Sequence, residues 1–393
     1  MIGVIADDLT GAAEIGAVGL RHGLRAEIIL LNNADISAKN FSRDAESDLL
    51  CVDTDSRSCD ANEAAKRAAA AAKFLKKCGA QWIYKKTDSV LRGQVTAEIE
   101  AVMQQLKFSR TLLLPANPSL GRTIQNGKYF VRGKPIHKTE FARDPYFPRR
   151  SANVLEMIKR PPNLPVQIAK LDEPMPEKGI SIAEAATSRD VADWAAKENL
   201  KNSEMLFAGG AEFFGALLVA KNFTNGFSGM ENFPTNDASR EFFISGTSTL
   251  AARKFASAAR RGKIPVFSLP QELSWGSELS PEVSAAIGRR IISAFDENSR
   301  VVLTVGLPPV RDHSIAQNFS GHVAQIAESA LRGADVGHIF AEGGATAAAL
   351  VRRMGWSRLK VLRELAPGVA TLAVENKNLL LTIKPGSYAW PAN

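Results

Sequence analysis

Short apolar runs alternate along the chain with longer segments of helical spacing. Residues 2–6, 26–31, 49–52, 82–85 and 111–114 read as strands, and residues 12–21, 61–77 and 96–106 as helices between or after them. That alternation predicts parallel βαβ units with helices on both faces of a sheet. The Ala-rich stretch 64–72 is expected to be a tightly packed helix rather than a linker. Between residues 133 and 148 the pattern breaks into prolines, acids and aromatics, which predicts an ordered excursion or lid. Alternation resumes with a strand at 166–170, a helix near 191–198, a strand at 205–208 and a helix after Gly209-Gly210. Residues 222–237, rich in Asn, Gly, Phe and Pro, mark a domain boundary. Further strands are expected at 241–244, 266–269, 300–305, 338–340, 360–365, 370–374 and 379–383. The predicted fold class is α/β: two α/β domains with largely parallel sheets, spanning 1–228 and 238–393, with a ligand cleft between them.

Composition narrows the function classes. A chain of 393 residues exceeds one ordinary core, and 45% hydrophobic with 23% charged residues is the balance of a globular protein with a well-filled interior. The net charge of +8 suits an anionic substrate or a nucleotide. The basic residues are dispersed: Arg149-Arg150, Arg260-Arg261, Arg289-Arg290 and Arg352-Arg353 are isolated pairs that read as solvated faces, so no nucleic-acid partner is expected. Cys51, Cys59 and Cys78 lack metal-type spacing, and no run approaches a membrane span. A cytoplasmic protein with no membrane partner is expected. The five histidines form no ligand pair, and no metal-binding residue set is expected.

The candidate chemistry lies at strand ends. Gly3-Val4-Ile5-Ala6 runs straight into Asp7-Asp8-Leu9-Thr10-Gly11, which places two carboxylates where a strand meets a helix N-terminus. Two acids suit polyol hydroxyls or proton abstraction rather than dinucleotide phosphates. Asp53-Thr54-Asp55-Ser56-Arg57, Lys86-Thr87-Asp88-Ser89-Val90-Leu91-Arg92-Gly93 and Pro115-Ala116-Asn117-Pro118 also follow apolar runs. Any one acid or hydroxyl there would serve as an ordinary helix cap. Arg57, Lys86 and Arg92 are different, because a cation beside a helix N-terminus opposes the dipole and calls for an anion. The second half offers glycine turns at Ser245-Gly246-Thr247-Ser248, Glu342-Gly343-Gly344-Ala345-Thr346 and Lys384-Pro385-Gly386-Ser387, where free amides can hold phosphate oxygens. Neither the Walker pattern nor Gly-x-Gly-x-x-Gly is present.

Taken together in this order, these motifs resemble the four-carbon acid sugar kinases. Pro115-Ala116-Asn117-Pro118-Ser119-Leu120-Gly121-Arg122, Thr139-Glu140-Phe141-Ala142-Arg143-Asp144-Pro145 and Ala366-Pro367-Gly368-Val369 belong to the same resemblance. It implies ATP-dependent phosphorylation of the C4 hydroxyl of D-threonate, D-erythronate or a 3-oxo-tetronate, the first two favoured by the Thr139 to Pro145 segment. It further implies an N-terminal sugar-acid domain and a C-terminal nucleotide domain. Asp8, Arg57, Lys86, Thr87 and Asp88 would contact the substrate, with Asp8 and Asp88 both open as the base. Ser245, Gly246, Gly343, Gly344, Lys384, Pro385, Gly386 and Ser387 would contact ATP, with Mg²⁺ neutralising its phosphates. Two departures stand out: Val90 where the family often has Thr, and Ala345 where it has Glu. A nicotinamide-dependent sugar-acid dehydrogenase and a non-catalytic sugar-acid sensor are the competing readings, and a homodimer is left open.

Overall fold

The computed structural model describes residues 1–31, 47–144, 146–162, 164–197, 205–223, 240–308, 310, 312–386 and 390. It divides into two compact units, Met1–Gly229 and Met230–Asn393. Most of the expected boundary segment, from residue 224 on, lies outside the described residues, as does Ser387.

The first unit is built on β1 (Ile2–Ala6), β2 (Ala26–Leu30), β3 (Leu49–Asp53), β4 (Trp82–Lys86), β5 (Arg110–Leu114), β9 (Val166–Ala169), β10 (Gly179–Ala183) and β11 (Leu206–Gly209). All pair in parallel, in the order β2-β3-β1-β4-β11-β5-β10-β9. The central strand β1 is buried along its whole length, as expected where helices cover both faces. The helices are α1 (Leu9–Arg21), α2 (Ala61–Lys77), α3 (Val95–Leu106), α4 (Val154–Met157), α5 (Ser188–Ala196) and α6 (Ala211–Ala220). In α2, Ala64, Ala68, Ala71 and Ala72 are buried with Phe74 and Leu75, so the Ala-rich stretch is a close-packed helix face. Because β3 and β4 flank β1 on opposite sides, the connections diverge there. Such a switch point is where open α/β sheets bind ligands.

Two features of this unit escape the sequence pattern. Strand β10 is fully buried, but its Gly-Ile-Ser-Ile-Ala composition dilutes the apolar signal. Strands β6 (Arg122–Gln125), β7 (Lys128–Val131) and β8 (Lys134–Pro135) form a separate antiparallel meander. Asn126-Gly127 sits at its first turn with both φ positive (49° and 68°), the primed-turn signature that could have revealed the hairpin. Within the excursion at 133–148, the described residues form short 3₁₀ turns at Ile136–Lys138 and Glu140–Arg143.

The second unit contains β12 (Glu241–Ser245), β13 (Val266–Ser268), β14 (Arg300–Thr304), β15 (His338–Glu342), β16 (Arg358–Ala366), β17 (Val369–Val374) and β18 (Leu380–Lys384). Its helices are α7 (Leu250–Arg261), α8 (Pro281–Glu297), α9 (His313–Leu331) and α10 (Gly344–Arg353). The strand order is β13-β14-β12-β15-β18-β17-β16. The first five are parallel, whereas β18-β17-β16 is antiparallel, because the links between those three are too short for a crossover helix. Here β12, flanked by β14 and β15, is the switch point. Among the described residues no helix is long and apolar enough to cross a membrane.

Candidate active site

The loops after β1, β3 and β4 meet at the switch point of the first unit. Asp8 caps α1, its Oδ1 accepting from the Gly11 amide at 2.8 Å. Arg57, carried in by the loop after β3, joins both carboxylates of the β1 loop. Its Nε and Nη2 donate to Asp7 at 2.7 and 3.0 Å, and its Nη1 donates to Asp8 Oδ2 at 2.5 Å. Asp88, after β4, lies 4.0 Å from Arg57 Nη2 and accepts from the Val90 and Arg92 amides. It also accepts from Arg92 Nε and Nη2 at 3.0 and 2.8 Å. Lys86 reaches Glu14 on α1 at 3.1 Å. The structure therefore brings Asp8, Arg57, Lys86, Thr87 and Asp88 to one sheet edge.

Electrostatics distinguishes the carboxylates. Burial raises the Asp8 carboxyl, and the single contact with Arg57 does not fully offset that, so it titrates above the ordinary range. Asp7 feels the same burial, but Arg57 on both its oxygens and the nearby Lys85 draw it below. Burial also acts on Asp88, yet Arg92 and Arg57 hold it well below the ordinary value. Burial opposes the charges of Arg57 and Lys86, but the surrounding carboxylates raise both.

The anions that Arg57, Lys86 and Arg92 call for are supplied by the protein itself. Arg57 has Asp7 and Asp8, Lys86 has Glu14, and Arg92 has Asp88 together with Asp144 at 3.3 Å. What is left over is different. Among the described residues, the Thr10 and Thr87 hydroxyls are buried with no hydrogen-bond partner, and so are Nε and Nη2 of Arg149. Arg149 is only 7% exposed, which corrects its reading as half of a solvated Arg-Arg pair; Arg150 is exposed. Asn117 takes a supporting place, accepting from the Ser119 hydroxyl, while Arg122 donates to the Ser89 hydroxyl. Lys85 was not singled out from sequence. It is fully buried and pairs with Glu98 at 3.1 Å, and Glu98 in turn accepts from Ser56, locking the base of the β3 loop.

In the second unit three adjacent strand ends converge. Ser245 donates to Glu342 Oε2 at 2.8 Å, and Lys384 pairs with Glu342 Oε1 at 2.9 Å. All three residues are buried. A Cβ on Gly246 would lie 1.9 Å from Thr346 Oγ1, so only glycine fits there. Gly343 has φ of 100° and caps α10 without a side-chain hydrogen bond, so the first turn of that helix is not blocked by a capping side chain. Gly344 opens α10, and Pro385 and Gly386 follow β18, with Gly386 lying against the Gly343 backbone.

Residues 2–217 match the sugar-binding N-terminal domain family, and residues 248–388 match the nucleotide-binding C-terminal domain family. A D-threonate kinase of Salmonella typhimurium LT2 is 35% identical over 164 residues, 42% of this chain and 37% of that protein. A 3-oxo-tetronate kinase of Haemophilus influenzae is 24% identical over an alignment covering 99% of this chain and 97% of that one. Among solved structures, a Salmonella typhimurium LT2 protein provisionally described as a tRNA synthase superposes with a TM-score of 0.76 at 20% identity, covering 99% of this chain and 96% of its own. A Haemophilus influenzae protein of the DUF1537 family gives 0.68 at 22% identity, covering 98% and 97%. At those identities the structural likeness speaks for the fold alone. With both domains present in this order, the chain belongs to the four-carbon acid sugar kinase family.

Proposed function

We propose that this protein transfers the γ-phosphoryl group of ATP to the C4 hydroxyl of a four-carbon sugar acid, with D-threonate or D-erythronate preferred and a 3-oxo-tetronate as a further acceptor. The observation that carries this reading is Asp8. Its carboxyl stands at the β1 switch point with a raised affinity for protons, held by only one amide and one guanidinium nitrogen. A group of that kind can orient a hydroxyl and take its proton, because general bases work best near the operating pH. Asp88 is a poorer base, since four donors and two cations hold it ionised. It serves better as the brace that fixes Arg92 and the β4 loop. Thr10 and Thr87 bring two unspent hydroxyls, which suit the hydroxyl groups of a sugar acid.

For the nucleotide, the amides at the start of α10 and the glycines at 246, 343 and 386 fit a phosphate cradle, since each lets backbone approach an anion closely. Ser245, Lys384 and Pro385 border that cradle on the neighbouring strand ends. Mg²⁺ would enter with the nucleotide, held by phosphate oxygens and few carboxylates, and would neutralise charge on the transferred group. Glu342, next to Gly343, already has its two oxygens engaged by Ser245 and Lys384, so phosphate oxygens would carry most of the metal's coordination. A reducing, ATP-containing cytoplasm suits the three cysteines, an odd number without metal-type spacing.

An ADP-release assay over D-threonate, D-erythronate, L-threonate and 3-oxo-tetronates with Mg-ATP tests the reading. Turnover with at least one of the D-acids is expected. ADP release with none of the acids would remove the substrate assignment.

A further inference from the structure

Arg149 is tied to the loop that carries Asp88: its amide donates to the carbonyl of Phe141, whose ring lies under Arg122, and Arg122 donates to the Ser89 hydroxyl. Of Arg57, Arg92 and Arg149, the first two have spent the guanidinium edge best matched to a carboxylate. Arg57 gives Nε and Nη2 to the two oxygens of Asp7. Arg92 gives the same edge to the two oxygens of Asp88. Arg149 has kept its own. Its Nη1 donates to the Met157 carbonyl at 3.0 Å and its backbone amide to the Phe141 carbonyl at 2.9 Å, but Nε and Nη2 are shielded from solvent with no acceptor.

A buried guanidinium with two unsatisfied donors is costly, and native proteins rarely leave one without a reason. Among the described residues, the protein's own acids do not supply the missing partner. Asp144 accepts from Arg92 and from the Tyr146 and Phe147 amides, and Asp88 is filled by Arg92 and two amides. Burial makes Arg149 give up its proton more readily than an ordinary arginine, while Asp88 and Asp144 act to keep it charged. A guanidinium nonetheless stays protonated at neutral pH. Arg57 and Lys86, the cations expected from the sequence to contact the substrate, are committed to Asp7, Asp8 and Glu14.

We propose that Arg149 is the carboxylate anchor of the sugar-acid site, its Nε/Nη2 edge receiving both oxygens of the acid group and so selecting sugar acids over neutral four-carbon polyols. This rests on the phosphotransfer reading above. Side-on pairing gives two parallel charge-assisted hydrogen bonds, the geometry for which arginine is preferred over lysine. Because the two nitrogens are shielded, the acid enters by displacing the groups that cover them.

The test compares wild type, Arg149→Met and Arg149→Lys by calorimetric binding of D-threonate and D-erythronate, and by kcat/KM for the acids against threitol and erythritol. Arg149→Met should weaken acid binding on the order of 10²-fold, the worth of a charge-assisted bidentate pair. It should leave kcat/KM for the polyols nearly unchanged, so that selectivity for acids collapses. Should Arg149→Met fail to fold, Arg149→Lys, which keeps the charge and loses the fork, should weaken the acids by about tenfold or more with the polyols unaffected. Equal losses for acids and polyols would mean that Arg149 only supports the fold, and unchanged acid binding would mean that another cation holds the carboxylate; either overturns the proposal. So does a complex in which only a water sits on Nε and Nη2 while the acid binds elsewhere. Wild type that binds no four-carbon acid defeats the phosphotransfer reading along with this one. Wild type that turns the acids over, beside an unaltered variant, defeats this one alone.

Discussion

Replacing Asp7 and Asp8 separately by Asn should split stability from turnover at a single dipeptide. In Asp8→Asn the helix cap survives, because Asn accepts from the Gly11 amide as well as Asp does. Arg57 keeps both bonds to Asp7. What is lost is one charge-assisted contact to a side chain that is 21% exposed. Because burial outweighs that contact in the folded protein, the neutral amide should leave unfolding stability nearly unchanged or slightly raised. Turnover should fall on the order of 10²-fold or more, the usual contribution of a positioned base. Asp7→Asn strikes the other side of the ledger. Asp7 is 2% exposed and carries the bidentate half of the Arg57 contact, so neutralising it should cost about 3 kcal/mol. The figure sits at the low end for a broken buried pair because Asp8 and Asp88 still compensate Arg57. Denaturant unfolding and the ADP-release assay, run on both variants, read the two quantities independently. A folded Asp8→Asn protein with near-normal turnover would refute Asp8 as the base. An Asp8→Asn protein less stable than Asp7→Asn would refute the assignment of bond strengths behind it.

Other consequences are equally open to measurement. Thr87→Val removes a buried hydroxyl that has no partner in the free protein, so it should leave unfolding stability unchanged or raise it by up to ~1 kcal/mol while increasing KM for the sugar acid; a clear loss of stability would show that the hydroxyl is satisfied internally. Gly246→Ala drives a methyl group to 1.9 Å from Thr346 Oγ1. The resulting overpacking should cost about 1–3 kcal/mol and raise KM for ATP more than KM for the acid, and equal effects on both would argue against a nucleotide role for that turn. His338 bonds to Thr382 at 2.8 Å, and burial holds its pKa down to about 4 from an ordinary 6.5. The unfolded chain therefore takes up the proton first. Stability should be full above pH 6.5 and decline by up to ~3 kcal/mol as pH falls toward 4. His338→Gln should flatten that part of the urea-unfolding profile, and an unaltered slope would sink the assignment.

Much of this was legible from the chain, and the limits of legibility have a physical origin. Parallel strands buried on both faces are near-continuous apolar runs, so β1, β3 and β4 show themselves, and the polar residues that stop them must gather at one sheet edge. That is why Asp8, Arg57, Lys86 and Asp88 could be nominated together. Pairing is another matter. The Arg57 contact with Asp7 spans fifty residues of sequence, and no local rule says whether a strand-end cation will be answered by a ligand or by the chain itself. Strand β10 and the meander β6–β8 were missed for local reasons, a diluted apolar run in one case and an overlooked Asn-Gly turn in the other. Arg149 shows the deeper obstacle. In sequence it is one of four Arg-Arg pairs and has no claim to notice. Only when the carboxylates around it are assigned to Arg57 and Arg92 does its unused edge stand out, because a ligand recognises the donors and acceptors that folding leaves unpaired, and those can be found only by subtraction.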